Sequence, residues 1–268
     1  MGDRLSVIAE RYPALGQILD PYVRRLRTLG ADVVAASWLG RAAQRVADAV
    51  DPHLEGYLAE WNEIAVLLDR QSSEALSKRF LRTLPKKVQG WLEEYADQFL
   101  EVCSELLAYG WLRYEKNCAV VRFVKEGPSP QPDLLGDEAL VVECKHFRTS
   151  QEDREYFAHH QGEVRPVTGE SPDRLFGKVL TTINNSVLPK LASYPPDRFD
   201  RHMFADFSFD VELWGPIEGV SPGTISDLIE GVRTHLAGRA VNLIAVRSHS
   251  LRQPLTIDQF QTPAESLP

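Results

Sequence analysis

The residues with the clearest chemical potential are one aspartate and a nearby glutamate–lysine pair. Asp133 follows Pro132 in the turn-forming stretch GPSPQPD, and Glu143 and Lys145 lie in the apolar run ALVVECKHF. Alternation along a strand places residues two apart on the same face, so Glu143 and Lys145 project together. A turn at Gly136-Asp137 would let the chain from Asp133 run antiparallel to this strand. We therefore expect the two carboxylates to approach each other beside a lysine.

Two nearby carboxylates repel each other, and a hard divalent cation such as Mg²⁺ relieves that repulsion through oxygen ligands. A lysine beside the cation can position or deprotonate a water, or stabilise negative charge on phosphorus. These groups are what metal-assisted hydrolysis of a phosphodiester requires. The alternative without a functional role is an ion pair between Glu143 and Lys145 on a solvated sheet edge, which would stabilise the fold little.

The motif resembles the signature of the PD-(D/E)xK nuclease superfamily, which has a restriction-endonuclease-like fold. The resemblance rests on Pro132-Asp133, nine intervening residues, and then Glu143-Cys144-Lys145. It implies that Asp133 and Glu143 bind Mg²⁺, with Mn²⁺ as a substitute, and that Lys145 assists the attacking water. Many members add a glutamate from the first core helix, for which Glu101 in EVCSELLAYGW fits best and Glu105 is the alternative.

The elements that must position these residues change character along the chain. Up to Gly110, apolar residues recur three and four apart between prolines, which predicts short helices and then one long helix with Gly110 as its C-cap. The later segments predict strands and helices in the following order: strand 118–124, strand 139–147, helix 174–193, strand 202–213, helix 224–238 and strand 240–247. This order predicts an α/β fold class behind an all-helical N-terminal region, and the resemblance implies that the core is restriction-endonuclease-like, with a mixed central sheet flanked by helices. The predicted divisions are a helical region over 1–88, a nuclease-like core over 89–252 and a C-terminal tail over 253–268.

Several other polar residues are candidates for contact with nucleic acid. A short basic run follows the motif strand, and from it and the next helix we select His146, Arg148 and Lys178 as binding residues; ordinary surface charge is the alternative. The clusters RRLR (24–27) and SKRFLRTLPKK (77–87) could contact nucleic acid as helix faces, or could equally be solvated faces of a bundle whose other side packs on the core. His159 and His160 have no spaced partner and are interpreted as loop residues. Asp206, Asp210 and Glu212 could be acids that support the metal site from behind its ligands, but their alternation along the strand favours a solvent-exposed face of the sheet.

Composition restricts the function classes. The net charge of −8 argues against a protein that coats nucleic acid nonspecifically. Three cysteines without metal-ligand spacing, and a start that does not resemble a signal peptide, predict a cytoplasmic protein without structural zinc or a membrane span. We expect a metal-dependent nuclease acting on DNA more than on RNA, in restriction, defence or repair. A catalytically inactive nuclease-like fold that binds nucleic acid or protein is the alternative, and a homodimer or another protein partner is left open.

Overall fold

The structure is a computed structural model that describes residues 4–84, 92–125, 127, 130–148, 172–208, 222–247 and 250–254. These residues form a mixed α/β protein in two compact units. Unit 1 comprises residues 1–124 and 134–137, and unit 2 comprises residues 125–133 and 138–268. The domain boundaries drawn from the sequence, after residues 88 and 252, stay a prediction.

Unit 1 is mainly helical, with one short hairpin. Its helices are α1 (Ser6–Arg11), α2 (Pro13–Thr28), α3 (Ala31–Ala36), α4 (Trp38–Ala47), α5 (Pro52–Val66), α6 (Arg70–Arg82) and α7 (Leu92–Tyr114). Strands β1 (Val121–Phe123) and β2 (Leu134–Gly136) pair antiparallel. The predicted run of helices is confirmed, and no described helix is long and apolar enough to cross a membrane.

Side-chain caps explain where several of these helices begin. The hydroxyl of Ser37 accepts a hydrogen bond from Gly40 N, and the Asp51 carboxylate accepts one from Leu54 N, so both satisfy amides that have no partner within the helix. Asp69 caps α6 by accepting a hydrogen bond from Ser72 N. These polar residues fix the register in which each apolar stripe faces inward.

Aromatic side chains dominate the core of unit 1. Trp38 stacks on Phe99 at a centroid distance of 5.2 Å, and Phe99 also contacts Tyr22 and Phe80. In the sequence, Trp38, Trp61 and Trp91 each lie within an apolar helical stripe, which predicts core positions, and Trp61 is indeed buried and packs against Trp38. Trp91, assigned to the core by the same reasoning, lies outside the described residues.

Gly110 does not end helix α7, contrary to the sequence prediction. The helix continues to Tyr114, and a Cβ at Gly110 would lie only 2.6 Å from the side chain of Ile64. The glycine is therefore explained by the close packing of α7 on α5 rather than by helix termination.

Unit 2 is built on a mixed sheet. Its strands are β3 (Leu140–Arg148), β4 (Asp200–Ser208), β5 (Asn242–Arg247) and β6 (Ser250–Pro254). The pairs β3–β4 and β4–β5 are parallel, and β5–β6 is antiparallel. The first three strands were predicted, whereas β6 was not, and its last residues fall in the predicted tail.

Helices connect the parallel strands of unit 2. Helix α8 (Pro172–Thr182), a π-helical segment (Ile183–Val187) and helix α9 (Leu188–Leu191) lie between β3 and β4, and helix α10 (Pro222–Ala237) lies between β4 and β5. Parallel strands need such crossovers, and helices on the sheet bury its faces. Val141 and Val142 point to opposite faces of β3 and are both fully buried, so neither face of this strand is open to solvent.

The prediction that Asp206 lies on a solvent-exposed face of β4 is wrong. Its side chain is fully buried in the centre of the sheet, beside His146 in the register of β3 and β4. Alternation suggested solvent because it distinguishes the two faces of a strand but cannot show whether each face is covered. Asp210 and Glu212, included in the same prediction, lie outside the described residues.

Candidate metal and phosphodiester site

Four charged side chains meet in unit 2, and we call them the carboxylate–lysine cluster: Asp133, Glu143, Lys145 and Lys190. Lys190 Nζ donates to Glu143 Oε1 at 2.7 Å and lies 3.9 Å from Asp133 Oδ1. Lys145 Nζ lies 3.4 Å from the same Glu143 oxygen. One ammonium group thus lies next to both carboxylates, and the convergence expected from the sequence for Asp133, Glu143 and Lys145 is present.

Backbone contacts with strand β3 hold Asp133 in place. The Asp133 amide donates to Val142 O at 3.0 Å, and its carboxylate Oδ2 accepts from Cys144 N at 2.8 Å. The second bond belongs to the residue between Glu143 and Lys145, so the motif strand itself orients the aspartate. Asp133 Oδ1 is left on the side of Lys190.

Glu143 is the most buried member of the cluster. Its side chain is 0% exposed, and its Oε2 atom has no hydrogen-bond partner among the described residues. Burial, and then the neighbouring Asp133 carboxylate, raise the pKa of Glu143 to about 8, although Lys145 and Lys190 act in the opposite direction. The alternative interpretation, an ion pair of Glu143 on a solvated sheet edge, is therefore excluded.

Lys190 belongs to the cluster but was not identified from the sequence. Burial lowers its pKa, but the carboxylates of Asp133 and Glu143 outweigh that effect, so the pKa of Lys190 is raised and the ammonium form is favoured. The lysine lies in the last turn of α9, beside the buried Leu191. A lysine next to an apolar helix stripe was the available signal, but the same pattern is common on solvated helices.

The π-helical segment explains how this helix presents Lys190. The buried residues of the crossover recur every four positions, at Val179, Ile183, Val187 and Leu191. A regular α-helix has 3.6 residues per turn, so such a stripe would drift around it, and a wider π turn offsets that drift. The segment thus keeps Leu191 inward and places Lys190 beside the two carboxylates.

The predicted fourth acid is not among the groups that unit 2 brings together. Glu101 is exposed on helix α7, which belongs to unit 1. The alternative, Glu105, forms an ion pair with Arg79 within unit 1. Metal ligation by either glutamate stays a prediction.

The predicted nucleic-acid contacts have different locations. His146 lies one residue after Lys145 and three after Glu143. Because side chains alternate along a strand, it lies on the face of β3 opposite both of them. Arg148 is the last residue of β3, and Lys178 is exposed on helix α8. His159 and His160 lie outside the described residues. Binding by these side chains stays a prediction.

The cluster provides oxygen donors that suit Mg²⁺, but few of them. Glu143 Oε2 and the Asp133 carboxylate are hard ligands, and the unsatisfied buried oxygen of Glu143 is the feature that a cation would explain. Within the described ranges, no group of three or more His, Cys, Asp or Glu side chains could share an ion. Mg²⁺ is commonly held by one or two carboxylates together with water and substrate phosphates, so two protein carboxylates fit such a site.

The comparisons with known proteins give no independent guide to this site. A scan against protein-family models, a search of curated proteins and a search of solved structures each found no match to this chain.

Proposed function

We propose that the protein is a metal-dependent nuclease that hydrolyses phosphodiester bonds of nucleic acid, with DNA favoured over RNA. The observation that carries the proposal is the meeting of Asp133, Glu143 and Lys145, with one buried oxygen of Glu143 left without a hydrogen-bond partner among the described residues. The proposal includes the finer fold assignment, a restriction-endonuclease-like core of the PD-(D/E)xK type. It also includes the predicted cytoplasmic location and a homodimer or other protein partner.

Each residue of the cluster has a chemical role in this proposal. Asp133 and Glu143 hold Mg²⁺, which when bound supplies a Lewis acid that stabilises negative charge on the phosphate. Lys145, as an ammonium group, donates to the attacking water and orients it, and its positive charge favours loss of the water proton to solvent. Lys190 keeps Glu143 Oε1 hydrogen-bonded and stabilises the charge that builds on the phosphorus oxygens.

The test is cleavage by the full-length chain of duplex DNA, single-stranded DNA and RNA, each with Mg²⁺, with Mn²⁺ or with a chelator. Asp133→Asn and Lys145→Ala should each reduce metal-dependent cleavage by at least about 100-fold, the range typical of losing a general base or an electrostatic stabiliser. Asp197→Asn and Lys125→Ala are the matched controls, because both side chains are exposed in unit 2. Cleavage that both motif variants retain in full would show that another site, or a contaminant, is responsible.

The charge balance favours a second candidate, a nuclease-like fold that binds nucleic acid or protein without cleaving. When Glu143 is ionised, the two ammonium groups balance the two carboxylates without a metal ion, and below its pKa of about 8 the cluster carries a net positive charge that opposes cation binding. In that case Mg²⁺ should leave the unfolding temperature unchanged. An enzyme of the proposed type should instead be stabilised by Mg²⁺, and Glu143→Gln should remove the stabilisation.

A further inference from the structure

Unit 1 contains a cavity that the proposed nuclease chemistry does not use. It has a volume of about 850 Å³ and lies between the residues before α1, the end of α2, and helices α3 and α4. Leu5, Ala31, Val34 and Ala35 provide an aliphatic lining. The volume is within the range of about 300–1,000 Å³ that is typical of small-molecule sites.

Four arginines surround this aliphatic surface: Arg4, Arg27, Arg41 and Arg45. All four are exposed, and none of the lining residues in the described part of the chain is acidic. Arg41 and Arg45 are four apart on α4, a spacing at which like charges destabilise a helix. Such a collection of positive charge is notable in a chain whose net charge is −8.

A ligand anion could replace the contacts that Arg41 and Arg45 make. Arg45 pairs with Asp51 at 3.1 Å while its side chain remains 63% exposed. Arg41 donates to the carbonyl of Ala36 at the end of α3. Exposed ion pairs of this kind stabilise the fold little, so exchanging one for a ligand anion costs little.

We propose that this cavity binds a small amphipathic anion, namely a single aliphatic chain that carries a phosphate or carboxylate head group. The arginines supply planar donors that match both head groups, and the leucine, valine and alanine side chains match the aliphatic chain. Nucleotides and single-stranded nucleic acid fit less well, because the described lining contains no aromatic side chain on which a base could stack. The proposal does not depend on nuclease activity.

The experiment is calorimetric titration of the full-length chain with hexyl, octyl and decyl phosphate below their micelle concentrations, and with decanoate, inorganic phosphate and a short oligonucleotide. We expect one site per chain and an affinity that rises by about fourfold for each buried methylene. Inorganic phosphate should bind at least about 100-fold more weakly than decyl phosphate. Comparison of decyl phosphate with decanoate identifies the preferred head group.

Two variants locate the binding. Arg27→Gln combined with Arg41→Gln should weaken decyl phosphate binding by at least about tenfold, because two charge-assisted contacts are lost. Val34→Asp should do the same by placing an anion in the aliphatic lining, and circular dichroism checks that both variants are folded. Arg70→Gln, an exposed arginine on α6 outside the cavity, is the matched control and should bind normally.

Three results would overturn the proposal. Unchanged affinity in both cavity variants would mean that the amphiphile binds elsewhere. Inorganic phosphate as tight as decyl phosphate would mean a simple anion site. An oligonucleotide that competes with decyl phosphate at lower concentration would mean that the arginines contact nucleic acid instead.

Discussion

Replacing Glu143 with glutamine tests whether this carboxyl group is neutral inside the folded protein. The pKa of Glu143 is raised by burial from its ordinary value of 4.5 to about 8. Glu143→Gln removes the titration but keeps the shape of the protonated form and an oxygen that can accept from Lys190. The wild type and the variant should therefore be equally stable in acid and differ increasingly as the pH rises.

The sign and size of the difference follow from proton linkage. Because the folded pKa lies above the unfolded one, the folded protein holds one more proton between pH 4.5 and about 8. The associated stability is complete below pH 4.5 and is lost as the pH rises through about 8. The loss is about 1.4 kcal/mol per pH unit and amounts to about 5 kcal/mol in total. The variant should gain about 3 kcal/mol over the wild type between pH 5.5 and pH 7.5.

Hydrogen exchange of a peptide covering Leu140–Arg148 measures this difference where it arises. Four of the five tryptophans, at positions 38, 61, 91 and 111, belong to unit 1, so tryptophan fluorescence reports mainly on that unit and not specifically on β3. Comparing wild type and variant at each pH, without metal, cancels the intrinsic pH dependence of exchange. Glu115→Gln, exposed on unit 1, should show no such trend. A constant difference between pH 5.5 and 7.5 would mean that Glu143 is ionised in the fold, and the reasoning about its burial would be refuted.

Three further predictions concern neighbouring groups. Asp133→Asn can still accept the hydrogen bond from Cys144 N, but it removes a negative charge that raises the pKa of Glu143. In the same hydrogen-exchange series, the pH above which the wild-type carboxyl group at 143 causes no further loss of stability should therefore be lower. Lys190→Met removes a cation that lowers the pKa of Glu143, so the pH at which the loss of stability ends should be higher. If this pH shifted in the same direction in both variants, the electrostatic assignment would be contradicted. Asp69→Ala removes the cap of α6 and should lower the free energy of unfolding of unit 1 by about 1 kcal/mol, measured by urea titration with tryptophan fluorescence; an unchanged midpoint would show that the cap contributes nothing.

Much of the candidate site could be predicted because it depends on local rules. Alternation along β3 places Glu143 and Lys145 on one face whatever surrounds the strand. The Pro132-Asp133 turn is also a local signal, and the Asp133 amide does bond to β3. The order of strands and crossover helices followed from changes in apolar period, and the mixed α/β class is confirmed.

What could not be predicted depends on tertiary packing. The burial of Asp206 requires that both faces of the sheet are covered, which a pattern within one strand cannot show. The contact of Lys190 with Glu143 spans 47 positions and depends on a π-helical segment that has no recognised sequence signature. Gly110 was taken for a helix end because a small residue serves equally well for termination and for close helix packing.

The charges of the carboxylate–lysine cluster also bear on how a nuclease of the proposed type would bind its ligands. With both carboxylates ionised, the two ammonium groups balance them, and a divalent cation would leave an excess of two positive charges in a largely buried site. A phosphodiester and a hydroxide derived from the attacking water carry the two negative charges that offset this excess. The metal and the nucleic acid should therefore each raise the affinity for the other, and by the same factor, because coupling between two binding equilibria is reciprocal. In the absence of both ligands, protonation of Glu143 relieves the cost of keeping a buried carboxylate. Its raised pKa and the proposed metal site thus have a common cause in the burial of one glutamate beside an aspartate.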